Sequence, residues 1–304
     1  MDCVATLIAR EDAGEACAPA LRELVRALPA WRGTRALDGV RALEARFALE
    51  RGGHSLESIA GLCKSVVGDL PIDVILLRAG RHGRKKLLIA DMDSTMIGQE
   101  CIDELARFAG VKSQVAAITE RAMRGDIAFE PALRERVALL RGLPASIVEE
   151  VIATSITLMP GARALVATMR AHGAFTALVS GGFDVFVEPV AAMIGFDASQ
   201  ANRLLVADGR FTGVVAEPVL GRAAKRAALR AHCAARGLSH GEAIAVGDGA
   251  NDLDMLAAAG LGVAYRAKPA VAAAAHASIA HNDLTALLFA QGISRDEFAV
   301  AREA

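Results

Sequence analysis

Two hydrophobic rhythms divide this chain. Up to about residue 80, short apolar runs alternate with amphipathic stretches. VATLI reads as a strand, EACAPALRELVRAL as a helix, the region from Thr34 to Leu49 as two weakly marked strands, SLESIAGLCKSVV as a second helix and IDVILL as a closing strand. Ser55 stands where an N-cap belongs, and Glu57 in the first turn suits the positive end of the helix dipole. The order β-α-β-β-α-β predicts a small ferredoxin-like α+β domain over residues 1–80, with helices on one side of an antiparallel sheet. His54, beside two glycines, reads as an exposed loop residue. RAGRHGRKK (Arg78 to Lys86) follows; its five Lys or Arg, two glycines and lack of an aromatic mark a solvated linker rather than a nucleic-acid surface.

Beyond the linker, β-rich runs each end in a polar cluster and give way to a helical stretch. LLIA ends at DMDST, FTALV at SGGFD, EAIAV at GDGAND and LGVAY at RAKP. Strands buried on both faces of a parallel sheet look like this, and ligands sit beyond their carboxyl ends, so the four clusters are expected to meet in one crevice. Residues 81–304 are therefore read as an α/β domain with a Rossmann-like parallel sheet. From about 100 to 160 the alternation stops and only helical runs occur (CIDELARFAG, QVAAITERAMRG, PALRERVALLRG, SIVEEVIATSI), which predicts an inserted helical cap over the crevice.

Composition narrows the function classes. Of 304 residues, 53% are hydrophobic and 23% charged, which excludes a disordered or collagen-like chain. Lys plus Arg number 34 against 35 Asp plus Glu, so no global field draws nucleic acid or a membrane surface, and any anion must be held by local arrangement. The first residues become charged before a leader could develop, and no uncharged run is long enough to span a bilayer; the expectation is a cytoplasmic protein. Five cysteines without C-x-x-C spacing read as reduced, mostly buried thiols.

The chemistry concentrates in the strand-end clusters. Asp91 and Asp93 follow a buried strand where the chain turns, so one side chain and a neighbouring backbone carbonyl can face a common metal; the alternative is a turn in which Asp93 and Ser94 merely cap a helix. The second acidic cluster raises the metal reading, since Asp248, Asn251 and Asp252 offer hard oxygen ligands that suit Mg²⁺ rather than zinc. Ser180 with Gly181 and Gly182 can present a hydroxyl and backbone N–H groups to a phosphate near a helix start. Lys225, near the start of the helix leading to the next strand, can reach back as the cation.

The order DMDST, SGG, Lys225, GDGAND resembles the haloacid dehalogenase superfamily of aspartate-nucleophile phosphotransferases, over nearly all of Lys86 to Phe289. With FEPALRERVALLRGLP and DASQANRLLVADGRFTG added, the chain resembles the branch that hydrolyses O-phospho-L-serine, the last step of serine biosynthesis; its amino-terminal part resembles, more weakly, an ACT-like domain. The resemblance implies Asp91 as nucleophile and Asp93 as acid and then base. It implies one Mg²⁺ held by Asp91, the Asp93 carbonyl and Asp248, with Asn251 and Asp252 orienting or supplementing that set. Ser180, Gly181 and Lys225 would hold the phosphoryl oxygens. Within the cap, Glu100 would take the substrate ammonium and Arg136 its carboxylate, with Met123 and Phe129 as an apolar wall. Each has a plainer alternative: Glu100 as a helix-start residue, Arg136 as a surface arginine, Met123 and Phe129 as core. Met159 and Ala132 stand where threonine and serine are usual in the branch. The resemblance also allows an amino-acid effector at the amino-terminal domain and a homodimer.

Two superfamily alternatives fit less well. A dehalogenase would need neither Asp93 nor Asp248; a phosphomutase must keep water from its aspartyl-phosphate and return the phosphoryl group, whereas the fit of the cap to a phosphoserine pocket argues for hydrolysis. The nearest rivals are phosphatases acting on phosphothreonine, phosphohomoserine or a small sugar phosphate. A catalytically silent amino-acid sensor would have lost Asp91 or Lys225, and both are present.

Overall fold

The computed structural model describes residues 1–50, 52–124 and 126–299, without the Met123 side chain. Its amino-terminal part runs β1 (Asp2–Ala9), α1 (Gly14–Ala27), β2 (Gly33–Asp38), β3 (Ala42–Ala48), α2 (Leu56–Val67) and β4 (Ile72–Arg78). These strands form an antiparallel sheet in the order β2-β3-β1-β4, the ferredoxin-like arrangement. Ser55 caps α2, its hydroxyl accepting the Ser58 N–H at 3.1 Å, and His54 is exposed. Strand alternation sorts the sheet's side chains. Cys3, Ala5, Leu7, Ala45 and Phe47 pack under α1 and α2, whereas Ile8, Leu37, Ala42, Ile75 and Leu77 turn to the opposite face and join the core of the rest of the molecule. The sheet is thus covered on both sides.

The larger part begins at β5 (Leu87–Ala90). Four helices follow: α3 (Cys101–Phe108), α4 (Lys112–Arg124), α5 (Phe129–Ala138) and α6 (Ile147–Ser155). The chain leaves for them and returns through adjacent segments bridged at Ile97 and Leu158. Then come α7 (Ala162–Ala171), β6 (Phe175–Phe183), α8 (Asp184–Ile194), β7 (Ala198–Asn202) and a hairpin, β8 (Leu204–Ala207) and β9 (Arg210–Val215). The chain closes with α9 (Arg222–Ala234), β10 (Ala243–Gly247), α10 (Leu253–Ala258), β11 (Leu261–Tyr265), α11 (Pro269–Ala274), β12 (Ala277–Ile279) and α12 (Ala286–Phe289). Six strands form one parallel sheet, order β12-β11-β10-β5-β6-β7. Along β5, Leu88 and Ala90 enter the core under α7, α8 and α12, while Leu87 and Ile89 enter the one under α9, α10 and α11. The winding direction reverses between β5 and β10, which opens the crevice where ligands bind in such sheets.

Two expectations need correcting. SGG does not end its strand, because β6 continues to Phe183. The basic segment after β4 is not simply solvated: Lys85 is only 7% exposed, and its ammonium donates to the carbonyls of Arg81 (2.8 Å) and Gly241 (3.0 Å), while Arg81 donates to the Gly260 carbonyl (2.9 Å). A lysine stem packs like an apolar chain once carbonyls satisfy its head.

Candidate active site

The parallel register of β5 and β10 sets Ala90 beside Val246, so the residues that follow, Asp91 and Asp248, emerge together at the sheet's carboxyl edge. Asp91 is buried and doubly held: its Oδ1 accepts the Met92 N–H at 2.7 Å, and its Oδ2 lies 2.6 Å from the Lys225 ammonium. Asn251 Nδ2 donates to the same Oδ2 at 3.4 Å. Lys225, carried by α9 and 1% exposed, also lies 2.6 Å from Asp252 Oδ1. Burial opposes the lysine's charge, but Asp91 and Asp252 outweigh it and hold its pKa above the usual lysine range.

Asp91, Asp248 and Asp252 each offer a carboxylate oxygen within 4.8 Å of the others. Burial first, and then the Asp91 charge, raise the pKa of both Asp248 and Asp252. One ammonium does not neutralise three carboxylates, and a cluster of oxygen donors under that repulsion fits a hard divalent cation. The donors are not equivalent. Asp252 spends Oδ1 on Lys225 and Oδ2 on the Gly249 N–H (3.1 Å), whereas Asp248 is held at Oδ1 by the Thr95 hydroxyl (2.9 Å), and no described side chain bonds its Oδ2.

Asp93, three residues beyond the end of β5, is partly buried. Desolvation, followed by the Glu100 and Asp91 charges, raises its carboxyl well above the ordinary carboxylate range, against a weak 3.4 Å hydrogen bond from the Cys101 N–H. A carboxyl so placed is biased toward its protonated form. The helix-capping alternative for Ser94 does not describe what it does: its backbone is left-handed (φ 55°) and its hydroxyl donates to Glu100 Oε1 at 2.7 Å. Glu100 occupies the N-cap position of α3, yet its side chain caps nothing.

Across the cleft, Ser180 is 1% exposed and its Oγ accepts the Gly182 N–H at 2.9 Å. A side chain at Gly182 would begin 3.0 Å from Asp93 Oδ2 and 3.1 Å from Ser180 Oγ, so only glycine lets the two polar groups converge there. Phe129, the first residue of α5, lays its ring over Gly181 and Gly221 and stays 39% exposed, which makes it part of the cleft wall rather than core. Arg136, also on α5, donates from Nε to the Ala132 carbonyl (3.2 Å) and from Nη1 to the Thr119 hydroxyl (3.4 Å). Burial lowers its pKa, while Asp103, Glu100 and Asp93 support its charge, so it faces the acidic cleft rather than open solvent. The Met123 side chain lies outside the described residues. Ala132 is buried within the cap, and Met159 packs against the main core. Sequence reasoning passed over Thr95, Ser94 as the partner of Glu100, Thr119 and Asn202. Thr95 and Ser94 at least stand inside DMDST and Asn202 inside DASQANRLLVADGRFTG, but nothing local marks what Asn202 or Thr119 touches.

A family model described as haloacid dehalogenase-like hydrolase matches residues 88–257. The phosphoserine phosphatase of Streptomyces coelicolor is 45% identical over 233 residues, 76% of this chain and 57% of that protein. The phosphoserine phosphatase SerB2 of Mycobacterium tuberculosis is 42% identical over 263 residues, 86% of this chain and 64% of that one. This chain therefore spans somewhat under two thirds of either relative. A HAD family hydrolase from Salmonella enterica serovar Typhi superposes with a TM-score of 0.83 at 29% identity, covering 95% of this chain and 97% of its own. The matched segment reaches from the strand before Asp91 to the helix after Asp252 and so takes in every carboxylate gathered around Lys225; the chain belongs to the haloacid dehalogenase-like hydrolases.

Proposed function

We propose that this protein hydrolyses O-phospho-L-serine to L-serine and phosphate through an aspartyl-phosphate on Asp91. The observation that carries the reading is the charge layout of the cleft: a buried lysine beside the Asp91 carboxylate on one wall, and Glu100 and Arg136, of opposite sign, on the cap side. Phosphoserine has the complementary layout of phosphate, ammonium and carboxylate. The similarity to phosphoserine phosphatases supports the same substrate.

Asp91 attacks phosphorus, an Asp91 O–P bond forms, and the P–O bond to serine breaks as Asp93 gives its proton to the departing oxygen. Asp93, now a carboxylate, takes a proton from water as that water attacks phosphorus, and the Asp91 O–P bond breaks to release phosphate. Lys225 neutralises charge on the phosphoryl oxygens, Ser180 and the Gly181 backbone donate to them, and Asn251 orients Asp91. Asp91, Asp248 and the Asp93 carbonyl would hold Mg²⁺, which supplies charge neutralisation at the phosphoryl group. Asp252 serves first as the anchor of Lys225. Glu100 and Arg136 receive the amino-acid end, with Phe129, and Met123 by resemblance, closing over the side chain. A methyl group is worth only about 1–3 kcal/mol of discrimination, so phosphothreonine is the alternative substrate.

A cytoplasmic setting fits five buried cysteines, none of them bridged, and no described helix is long and apolar enough to cross a membrane. The amino-terminal unit as a separate domain, an amino-acid effector there and a homodimer belong to the same reading by family analogy. The test is phosphate release from L-phosphoserine, D-phosphoserine, L-phosphothreonine and a sugar phosphate, with Mg²⁺ and with chelator. L-Phosphoserine should be fastest, chelation should stop turnover, and Asp91→Asn should abolish it in a folded protein. Full activity in chelator, or a faster sugar phosphate, would overturn the assignment.

A further inference from the structure

We propose that Asn202 is a positioning residue that aims the Ser180 hydroxyl at the phosphoryl group. The inference starts from a break in the sheet. β6 and β7 pair at Val179 with Gln200 and again at Phe183 with Asn202, so Ser180, Gly181 and Gly182 on one strand face a single residue on the other, and the segment bulges out of the ladder. The backbone groups a bulge removes from the ladder need other partners. The Asn202 side chain, 2% exposed at the end of β7, supplies one: its Nδ2 donates to the Gly181 carbonyl at 2.8 Å. The same amide group donates to the Leu220 carbonyl (3.1 Å) and accepts the Leu220 N–H (2.6 Å), which fixes it against the segment leading into α9.

Holding the Gly181 carbonyl sets the plane of the peptide joining Gly181 to Gly182, whose N–H donates to Ser180 Oγ. With that lone pair engaged, the hydroxyl proton must point elsewhere, and no described residue accepts it. The chain of bonds runs from the Asn202 amide through one peptide group to the Ser180 hydroxyl, and bonds in such a chain polarise one another. Asn202 thereby strengthens a donor it does not touch.

This inference rests on the phosphoryl-binding role given above to Ser180, though not on which ester is the substrate. The experiment is a double-mutant cycle of Asn202→Ala and Ser180→Ala, read with L-phosphoserine, with p-nitrophenyl phosphate and by orthophosphate titration in Mg²⁺. Thermal unfolding monitors the fold, and Asn202→Ser replaces the alanine variant if that does not fold. Asn202→Ala should lower kcat/KM by about 30-fold on both esters and weaken orthophosphate, whereas in the Ser180→Ala background the loss should shrink to less than about threefold. The same factor in both backgrounds, or no loss at all, overturns the relay. An enzyme active on the nitrophenyl ester but not on L-phosphoserine would sink the substrate assignment while leaving the relay measurable. If neither ester turns over, the orthophosphate affinities of the four proteins decide it.

Discussion

At 2.6 Å from both Asp91 and Asp252, the buried Lys225 ammonium is the cation around which this site is ordered. Arg136 differs, being half-buried and, among the described residues, anchored only to a carbonyl and a threonine hydroxyl within the cap. Those contacts leave part of its guanidinium for a ligand. Loss of one hydrogen-bonded charge partner costs about 2–5 kcal/mol, and a generic ester without a carboxylate has nothing to lose there. Arg136→Ala should therefore lower kcat/KM for L-phosphoserine by at least about 30-fold while barely changing p-nitrophenyl phosphate. Steady-state kinetics on the two esters check this; equal losses would mean that Arg136 only holds the cap together.

Among the elements, the β8–β9 hairpin lies outside the parallel sheet yet bonds to the cap. It braces the cap through backbone hydrogen bonds from Gly142 N–H to the Phe211 carbonyl (2.8 Å), from Phe211 N–H to the Leu143 carbonyl (3.0 Å) and from Ala145 N–H to the Gly209 carbonyl (2.9 Å). Gly213, on β9, has φ 76°, and a Cβ there would sit 2.9 Å from Arg141 Cβ and 3.3 Å from the Ala138 carbonyl at the end of α5. Gly213→Ala should cost about 2 kcal/mol through left-handed strain and crowding. Because α5 carries both Phe129 and Arg136, KM for L-phosphoserine should rise more than kcat falls. Thermal unfolding together with initial rates tests the pair of effects, and a destabilised protein with unchanged KM would separate the hairpin from the cap's binding residues.

At the scale of the whole molecule, polar side chains tie the ferredoxin-like sheet to the rest. Asp73 on β4, buried, accepts the N–H groups of Ala280 (2.8 Å), His281 (3.2 Å) and Asn282 (3.0 Å), and the Asn282 amide at 2.9 Å. Glu44 on β3 is 2% exposed, with His82 Nε2 at 3.3 Å and Arg35 at 2.9 Å, and Arg35 continues to the Gly292 carbonyl at 2.7 Å. His82, aided by Arg35, holds the Glu44 carboxyl down at about 2 despite its burial. A carboxyl lowered by folding stabilises the native state above its unfolded value, near 4.5, and that contribution is lost as pH falls toward 2. The amount is up to about 3 kcal/mol. Wild-type stability should therefore drop between about pH 4.5 and 2, and Glu44→Gln should flatten the drop while destabilising the protein at pH 7. Denaturant melts across that range check it; an unchanged slope in the variant would remove Glu44 from the account.

What the sequence determined by itself is what depends on neighbouring residues. Strand runs such as LLIA and EAIAV are apolar along their whole length because both faces are buried, and the β-α-β-β-α-β order was legible from periodicity. Asp91, Asp93, Asp248 and Lys225 were legible because each stands just past a strand or at a helix start, where chain geometry alone aims a side chain into the crevice; Ser180 was legible from its two glycines, although β6 runs on past it to Phe183. Asn202 and Thr119 gave no such sign, since their partners lie 18 to 21 residues away at Leu220 and Gly181 for the first, and 17 residues away at Arg136 for the second. Phe129 was legible as apolar, but not as wall or core, until α5 was set against Gly181 and Gly221. Lys85 read as part of a solvated linker and Glu44 carried no reading of its own; only the packing of one sheet against another segment of chain made them buried. Tertiary structure decided these positions because the burial of a polar group depends on what the distant chain brings to satisfy it, and no local pattern encodes that partner.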